Sequence, residues 1–418
     1  MDELAYWIWL SLSCTPGTDT FIKLFTKFSS PEEIYRADDE SIAECIGSRS
    51  RDYKAITDKE LKDALRVLEF CRRRGVGIIC YSDEGFPNSL KEIETPPVLL
   101  YYRGVLPDFN SEFFVSVVGT RRLSDYGRKN AFSIAHDLSR AGAIVVSGMA
   151  VGIDAVAHAG ALTASGVTVA VIGSGIDVCY PKQHLCLARE IVKNGCVLTE
   201  YAPGTKPERY NFPMRNRIIS GLSSATLVIE GKEKSGALIT ARCANEQGRA
   251  VYALPGNVGN VNSELTNLLI KNGAKLCTAA DDLVRDFELK SLGRLNPFML
   301  TEKATVDMNK ALSELAVSAV AQSDSIFRGS SPKKRKEEKT SEKQTASEPT
   351  NTENAVSLDG FDKNAVKIYK KIPLGEECPI ESLIDDELSL RDVMKGLLKL
   401  EIGRFVTMLP GERVKRNF

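Results

Sequence analysis

The chain has 418 residues, and 55 Lys and Arg balance 55 Asp and Glu, so the formal net charge is zero. This balance excludes a uniformly basic nucleic-acid coat, although it allows a basic face that acidic residues elsewhere compensate. At about 100 to 200 residues per domain, the length predicts two to four domains. No uncharged apolar run is long enough to span a membrane, and the N-terminus is acidic where a signal peptide is basic, so we expect a cytoplasmic protein with no membrane partner.

The cysteines predict neither a disulfide framework nor a metal centre. Ten cysteines are scattered along the chain without a Cys-x-x-Cys pair, which is typical of reduced core residues. Cys179, His184 and Cys186 are neighbours in sequence, but no second ligand pair with zinc spacing follows. We therefore expect no metal and no cofactor.

Residues 1–75 predict a small module of short helices. Apolar residues recur at helical spacing within 21–28, and Ser30-Pro31 is a strong helix start. A further helix is expected from about Asp58 to Arg74, ending at Gly75. Short helices around a Pro-Gly turn are typical of a helix-hairpin-helix or sterile-alpha-motif-like module, and a plain helical cap is the alternative.

Residues 76–289 predict an α/β domain with a Rossmann-like, mostly parallel sheet and helices on both faces. The segment from 76 to 112 is extended and rich in turns, and from Phe113 apolar strands alternate with helix-sized segments. The expected strands of this alternating part are Val115–Val118, Ile144–Val146, Val167–Ile172, Cys196–Leu198, Thr226–Ile229, Ala250–Leu254 and Lys275–Cys277.

The C-terminal third predicts a linker followed by a small domain. Residues 290–355 contain a Ser-, Thr-, Lys- and Glu-rich run that is unable to bury a core, so we expect a disordered linker. Residues 356–418 show three apolar helical patterns and then a hairpin pattern around Pro410-Gly411. Three helices and a hairpin predict a winged-helix domain, a plan that binds DNA or proteins.

The first alternating strand is followed by glycine and arginine residues that predict an anion site. Gly119, Thr120, Arg121 and Arg122 follow the strand, and Ser124 is a good N-cap for the next helix. Free backbone N–H groups and the positive end of a helix attract phosphate. The run lacks the Walker pattern, so it does not predict a nucleoside triphosphatase.

Other glycine-rich, basic segments follow the later strands, and ligands of such sheets bind beyond the carboxyl ends of the strands. The Gly173-Ser174-Gly175 run lacks the spacing of a dinucleotide site. Residues 113–285 contain 19 Lys and Arg against 13 Asp and Glu, so the basic charge is concentrated here. The predicted phosphate-binding set is Gly119, Thr120, Arg121, Arg122, Ser147, Gly148, Gly152, Phe212, Arg215, Asn216, Arg217, Lys234, Ser235 and Gly236.

Carboxylates near these loops are predicted to support the site rather than to react. Asp154, Glu200 and Glu230 are assigned to hydrogen bonds with loop backbones or arginines. Residues two apart on a helix do not share a face. We therefore expect one of Arg215 and Arg217 to face the ligand and the other to bind such a carboxylate.

The order and spacing of these strings resemble the DNA-processing protein A (DprA, or Smf) family. The resemblance is dense over about 113–278, including Val118–Arg121, Ser147–His158, Phe212–Ile219 and Leu254-Pro255-Gly256. It implies a non-catalytic protein that binds single-stranded DNA, forms a homodimer, protects incoming DNA and loads a RecA-type recombinase during natural transformation. One departure is Leu265, where the family usually has Gly.

An enzyme acting on nucleotides is the alternative, because the fold also resembles that of the phosphoribohydrolases with a P-G-G-x-G-T-x-x-E motif. The corresponding run here begins at Pro255-Gly256. It places Asn260 at the Thr position and Ser263 at the position of the catalytic carboxylate, with Glu264 one residue away. The missing carboxylate favours the non-catalytic interpretation.

Overall fold

The chain divides into two compact units, Met1–Lys333 and Lys334–Phe418. The structure is a computed structural model, and within the part of the chain that it describes no helix is both long and apolar enough to cross a membrane. The described residues are 2–291, 293–300, 306–317, 363–373, 377–383, 393, 397, 400, 406–409 and 413–416.

Helices dominate the ends of the first unit and alternate with strands in its middle. The helices are α1 (Glu3–Ser13), α2 (Thr20–Lys27), α3 (Pro31–Arg36), α4 (Asp39–Ile46), α5 (Tyr53–Thr57), α6 (Lys62–Arg74), α7 (Asn88–Lys91), α8 (Asp125–Arg140), α9 (Ile153–Thr163), α10 (Leu185–Asn194), α11 (Asn211–Gly221), α12 (Gly236–Glu246), α13 (Glu264–Lys271), α14 (Ala280–Phe287) and α15 (Met308–Val317).

A nine-stranded mixed sheet forms the centre of this unit. Its strands are β1 (Gly77–Cys80), β2 (Leu99–Gly104), β3 (Phe114–Val118), β4 (Ile144–Ser147), β5 (Thr168–Val171), β6 (Cys196–Thr199), β7 (Ala225–Val228), β8 (Ala250–Ala253) and β9 (Lys275–Leu276). The order is β1-β2-β6-β5-β4-β3-β7-β8-β9. Strands β3 to β9 are parallel, which confirms the predicted Rossmann-like, mostly parallel sheet.

The segment from 76 to 112 adds two antiparallel strands to the parallel core. β2 pairs with β6, and β1 pairs with β2. Because β2 is antiparallel to β6, Gly104 lies opposite Cys196, at the amino end of β6. The sequence shows these residues only as extended, since the partner of an added strand depends on tertiary packing.

Helices cover both faces of the sheet. One face packs against α8, α9 and α14 through residues such as Val115, Val145 and Leu283. The other face packs against α7, α11, α12 and α13. Leu265, at the start of α13, is fully buried in that second core, and its N–H donates to the Gly231 carbonyl at 3.0 Å. Leu265, noted above as a departure from the resemblance, is therefore a helical residue that fills the core.

The six N-terminal helices share a hydrophobic core with the sheet. Ser30 caps α3 by accepting the Glu33 N–H at 3.2 Å, and Gly75 ends α6 with φ of 60°. Tyr101 of β2 and Val197 of β6 belong to the same core as Trp7 and Trp9 of α1. These helices therefore extend the layer that covers one face of the sheet, and their helix-hairpin-helix or sterile-alpha-motif-like identity stays a prediction.

The first part of the predicted 290–355 linker is folded, which corrects the expected start of the linker. Leu295 is buried in the core that α8 and α14 share, and its backbone is held by Ser291. Pro297–Leu300 forms a 3-10 helix, and Leu312 and Leu315 of α15 pack against the same core. The apolar positions of 308–315 are partly buried against this core, which gives the stretch a packing surface. Residues 318–355 lie outside the described residues.

The described part of the second unit contains one helix and a small antiparallel sheet. Its elements are α16 (Lys363–Lys371), β10 (Glu377–Pro379), a 3-10 helix (Ile380–Leu383), β11 (Val406–Leu409) and β12 (Arg413–Arg416). β11 and β12 form the predicted hairpin, and β10 joins β12. Ile368, Leu397 and Val414 share its core. The winged-helix identity of 356–418 remains a prediction, because many of its residues lie outside the described ranges.

Candidate functional site

Loops from five parallel strands meet at one edge of the sheet and enclose a cleft of about 680 Å³. Because parallel strands place their carboxyl ends at the same edge, the loops that follow β3, β4, β5, β6 and β7 converge there. The side chains that line the cleft include basic, polar and apolar groups, with one carboxylate. They include Thr120, Arg121, Ala150, Asp154, Tyr180, Arg209, Phe212, Pro213, Arg215, Asn216, Ser235 and Thr240.

Residues Gly119–Arg122, which we call the anion loop, are held in place by Glu230 at the end of β7. The Glu230 carbonyl accepts the Thr120 N–H at 2.8 Å. Its carboxylate accepts both the Ser124 N–H, at 3.0 Å, and the Ser124 hydroxyl. Glu230 is 1% exposed, so its oxygens are committed to the loop and to the start of α8. The loop is thereby fixed, while the Arg121 and Arg122 side chains stay exposed.

Arg121 lies over an aromatic ring at the wall of the cleft. Its guanidinium carbon is 5.3 Å from the centroid of the Phe212 ring. The Phe212 ring is 5.6 Å from that of Tyr180, and Tyr180 is 43% exposed. A small pocket of about 50 Å³ continues behind the two rings. An exposed cation beside aromatic faces suits a ligand that carries both a phosphate and a planar base.

Arg215 lines the cleft, but its guanidinium is tied to the sheet. It is 3% exposed and donates to the Gly148 carbonyl at 2.9 Å and to the Val171 carbonyl. Burial lowers the pKa of Arg215 to about 10, although the nearby Asp154 carboxylate opposes this shift. Burial likewise raises the pKa of Asp154, against the effect of Arg215. Arg215 therefore braces the cleft floor rather than offering a free charge.

Arg217 forms a buried ion pair with Glu200. Arg217 Nη1 and Nη2 lie 3.1 and 2.6 Å from Glu200 Oε1 and Oε2, and the two side chains are only 9% and 6% exposed. Burial raises the pKa of Glu200, while Arg217 opposes that shift. This two-point pairing ties α11 to the end of β6. Arg217 is thus committed to a carboxylate, and it does not line the cleft.

Gly148 and Gly152, in the loop between β4 and α9, allow close packing beneath the cleft. Gly152 has φ of 97°, and a Cβ there would lie 2.3 Å from the Thr120 carbonyl. A Cβ at Gly148 would lie 2.6 Å from the Arg215 guanidinium. Both glycines therefore shape the site through the backbone. Ser147 is fully buried and donates to the Val117 carbonyl at 2.7 Å, so its hydroxyl is used within the sheet.

The residues that follow β7 divide between two surfaces. Ser235 and Gly236 line the cleft at the start of α12, and the side-chain amide of Asn216 donates to the Gly236 carbonyl at 3.4 Å. Lys234 instead lines a separate groove with Arg242 and Leu269. The predicted phosphate-binding set is therefore only partly brought together, because a single sequence does not show to which side of a loop each residue points.

Two cleft residues were missed by the sequence analysis. Tyr180 precedes Pro181 and had the pattern of a packing residue in a turn, yet it lies on the cleft wall. Arg209 is exposed on the loop between β6 and α11 and also lines the cleft. The position of Arg209 after a parallel strand was the sequence feature that could have indicated that it lines the cleft. No group of three or more His, Cys, Asp or Glu side chains suited to a metal ion occurs among the described residues.

The fold is of the Rossmann-like class, with a basic cleft at the carboxyl ends of its parallel strands, and comparisons with known proteins give its family. The family model of DNA recombination-mediator protein A matches residues 77–288. Protein Smf of Synechocystis is 33% identical over 421 aligned positions, which cover 99% of both chains. This chain therefore belongs to the DNA recombination-mediator protein A family, also named DprA or Smf.

A further relative and a solved structure agree with this assignment. DNA processing protein DprA of Streptococcus pneumoniae is 44% identical over 229 residues, covering 55% of this chain and 79% of its own. The X-ray structure of DNA processing protein A from the same organism matches with a TM-score of 0.60 and 35% identity, covering 68% of this chain and 97% of that chain. The sheet and its flanking helices are thus those of a known family fold.

Proposed function

We propose that this protein binds single-stranded DNA in the cleft, without sequence preference and without catalysis. The observation that carries the proposal is the exposed Arg121 guanidinium above Phe212, at an edge where loops from several parallel strands meet. Arg121 would bind a backbone phosphate, and Phe212 and Tyr180 would contact base faces. Every base has such a face, so this recognition tolerates any sequence.

Single strands suit this cleft better than duplex DNA does. In a duplex the bases are stacked on each other, so their faces are not free to meet Phe212 or Tyr180. The lining combines cations with aromatic, aliphatic and polar groups, a mixture that suits the phosphates and the unstacked bases of a single strand. We therefore expect affinity for single strands to exceed affinity for duplex of the same length at matched salt.

The chemistry of the cleft supports a binding role over hydrolysis of nucleotides. In the run that corresponds to the phosphoribohydrolase motif, Ser263 is 3% exposed, and the Asn260 side chain accepts the Asn262 N–H at 3.0 Å. Ser263 and Glu264 are not among the cleft-lining residues. The carboxylate that does line the cleft, Asp154, is buried beside Arg215. Among the described residues, this arrangement therefore places no exposed carboxylate beside Arg121 to act as a general acid or base.

Family membership supports the wider role. We infer that the protein acts in the cytoplasm, protects incoming single strands during DNA uptake and loads a RecA-type recombinase onto them. We also infer a homodimer, since β9 ends the described sheet and exposes Leu276 by 51%, and such an open edge is suited to self-association. Light scattering would test the dimer, and strand exchange by a RecA-type recombinase, with and without this protein, would test loading.

The direct test compares a labelled oligothymidine, a duplex of equal length and a nucleoside monophosphate. We expect tight binding of the single strand, much weaker binding of the duplex and no release of base from the nucleotide. Equal affinity for both DNA forms would contradict the single-strand proposal. Release of base would favour the phosphoribohydrolase alternative instead.

A further inference from the structure

We propose that the loop Pro255–Ser263, together with Tyr126, is a second contact surface for the same DNA strand where it leaves the cleft. We call these residues the exit surface, and the inference rests on the proposed function. The loop follows β8, which is parallel to β7, so it lies at the same edge of the sheet as the cleft. Residues 255–263 contain no charged side chain, so this surface does not repel a polyanion.

The exit surface is joined to the anion loop by hydrogen bonds. The Asn262 side-chain amide donates to the Arg122 carbonyl at 3.3 Å. The Tyr126 hydroxyl donates to the Pro255 carbonyl at 2.7 Å, linking the loop to the first turn of α8. Arg121 lines the cleft, and the exposed Arg122 follows it directly. A strand whose phosphate reaches Arg121 would thus pass Arg122 and arrive at Asn262.

The loop has internal hydrogen bonds that give it a defined shape before any ligand binds. Its base is closed by Asn267, whose side chain bonds both the N–H and the carbonyl of Gly256, at 3.2 and 2.9 Å. The Gly231 N–H donates to the Asn262 carbonyl at 2.7 Å, and Gly259 turns the tip with φ of 87°. Preorganised surfaces lose less conformational entropy on binding.

Exposed apolar groups on this shaped loop have the chemistry of a base contact. Val258 is 97% exposed, and Val261 and Tyr126 are each 47% exposed. Lys129 is exposed three residues after Tyr126 on α8, so a cation lies on the same side of the helix. Alternating cations and apolar or aromatic groups match the alternating phosphates and bases of a single strand.

Single-stranded DNA fits the exit surface better than a second protein does. Three exposed apolar side chains offer little apolar area, whereas a stable protein interface needs about 800 Å² on each partner. The exposed amides of Asn257 and Asn260 offer donors and acceptors to base edges. Continuity with Arg121 and Arg122 also favours the strand that already occupies the cleft.

The test measures affinity against strand length in the full chain. Oligothymidines from about 4 to about 20 nucleotides span the usual site sizes of single-strand binders. The variant Val258→Ser/Val261→Ser changes exposed residues only. The matched control Val105→Ser changes an equally apolar residue that is 58% exposed and follows β2, whose end lies at the opposite edge of the sheet.

We expect the double variant to lose about fivefold in affinity for long strands, the effect of weakening one base contact, and to match the parent on the shortest strand that binds. Unchanged affinity at every length would overturn the exit surface while leaving the cleft proposal intact. An equal loss at every length, or a change of oligomeric state, would also overturn it. If the parent binds no single strand of any length, the proposed function itself fails.

Discussion

Replacing Arg121 with Ala should weaken single-strand binding and flatten its dependence on salt. Arg121 is exposed at the end of a fixed loop, and its guanidinium lies over Phe212. The variant removes one phosphate contact and the cation above the ring. The fold should persist, because Glu230 holds the loop through Thr120 and Ser124 rather than through Arg121.

The size of the salt effect follows from counterion release. For single strands, each phosphate contact contributes about 0.7 to the slope of log affinity against log salt, so the variant's slope should be smaller by about 0.7. Between about 50 and 200 mM salt, the parent should therefore lose about 2.6-fold more affinity than the variant. Arg121→Lys keeps the charge and should keep the slope, while it loses the planar contact with the ring.

Fluorescence anisotropy with a labelled oligothymidine over a salt series measures both quantities. Arg285→Ala is the matched control, since Arg285 is 71% exposed, pairs with Asp281 on α14 and is not among the cleft-lining residues. A thermal melt of each variant checks the fold. If Arg121→Ala binds like the parent at every salt concentration, the cleft does not hold the DNA backbone.

Three further predictions concern stability. Arg217→Met leaves the Glu200 carboxylate buried without its partner and should lower the free energy of unfolding by about 3 kcal/mol or more, measured with urea; a cost near zero would contradict the buried pair. Burial lowers the pKa of His158 from 6.5 to about 3, so the unfolded chain binds a proton that the folded chain does not, and this histidine should lower the free energy of unfolding by about 1.6 kcal/mol from pH 6.5 to 5. His158→Gln should remove that part of the pH dependence, and identical pH profiles would refute it. A chain ending at 317 should melt like the complete first unit, whereas one ending at 289 should melt lower, because Leu295 and α15 pack on the core; equal melting of both would contradict this packing.

The sequence revealed the parallel strands because they are short apolar runs that end in glycine or polar residues. The expected strand Val115–Val118 begins one residue later than β3 and ends with it, and the expected strand Thr226–Ile229 is shifted by one residue from β7. The antiparallel strands β1 and β2 were not assigned to the sheet, because their own residues do not indicate that β2 pairs with β6. The ordered stretch 306–317 was also missed, because its apolar residues acquire a core only through contact with elements far away in sequence.

The anion loop and Phe212 were predicted as site residues, and the structure brings them together because each follows a parallel strand or begins a helix at one edge. The roles of the arginines on α11 were harder to assign. The sequence predicted that one of Arg215 and Arg217 would bind a carboxylate, and Arg217 does bind Glu200. That Arg215 would be tied to backbone carbonyls depends on its depth beneath the Gly148 loop, which composition and spacing do not reveal.

Photo-crosslinking of a bromodeoxyuridine-substituted single strand to the full chain, followed by peptide mapping, tests the central claim most directly. We expect crosslinks to peptides that contain Tyr180 and Phe212, and their loss in Arg121→Ala at elevated salt. Crosslinks confined to other surfaces, with Tyr180 and Phe212 unmodified in the bound complex, would contradict the cleft as the site of single-strand binding.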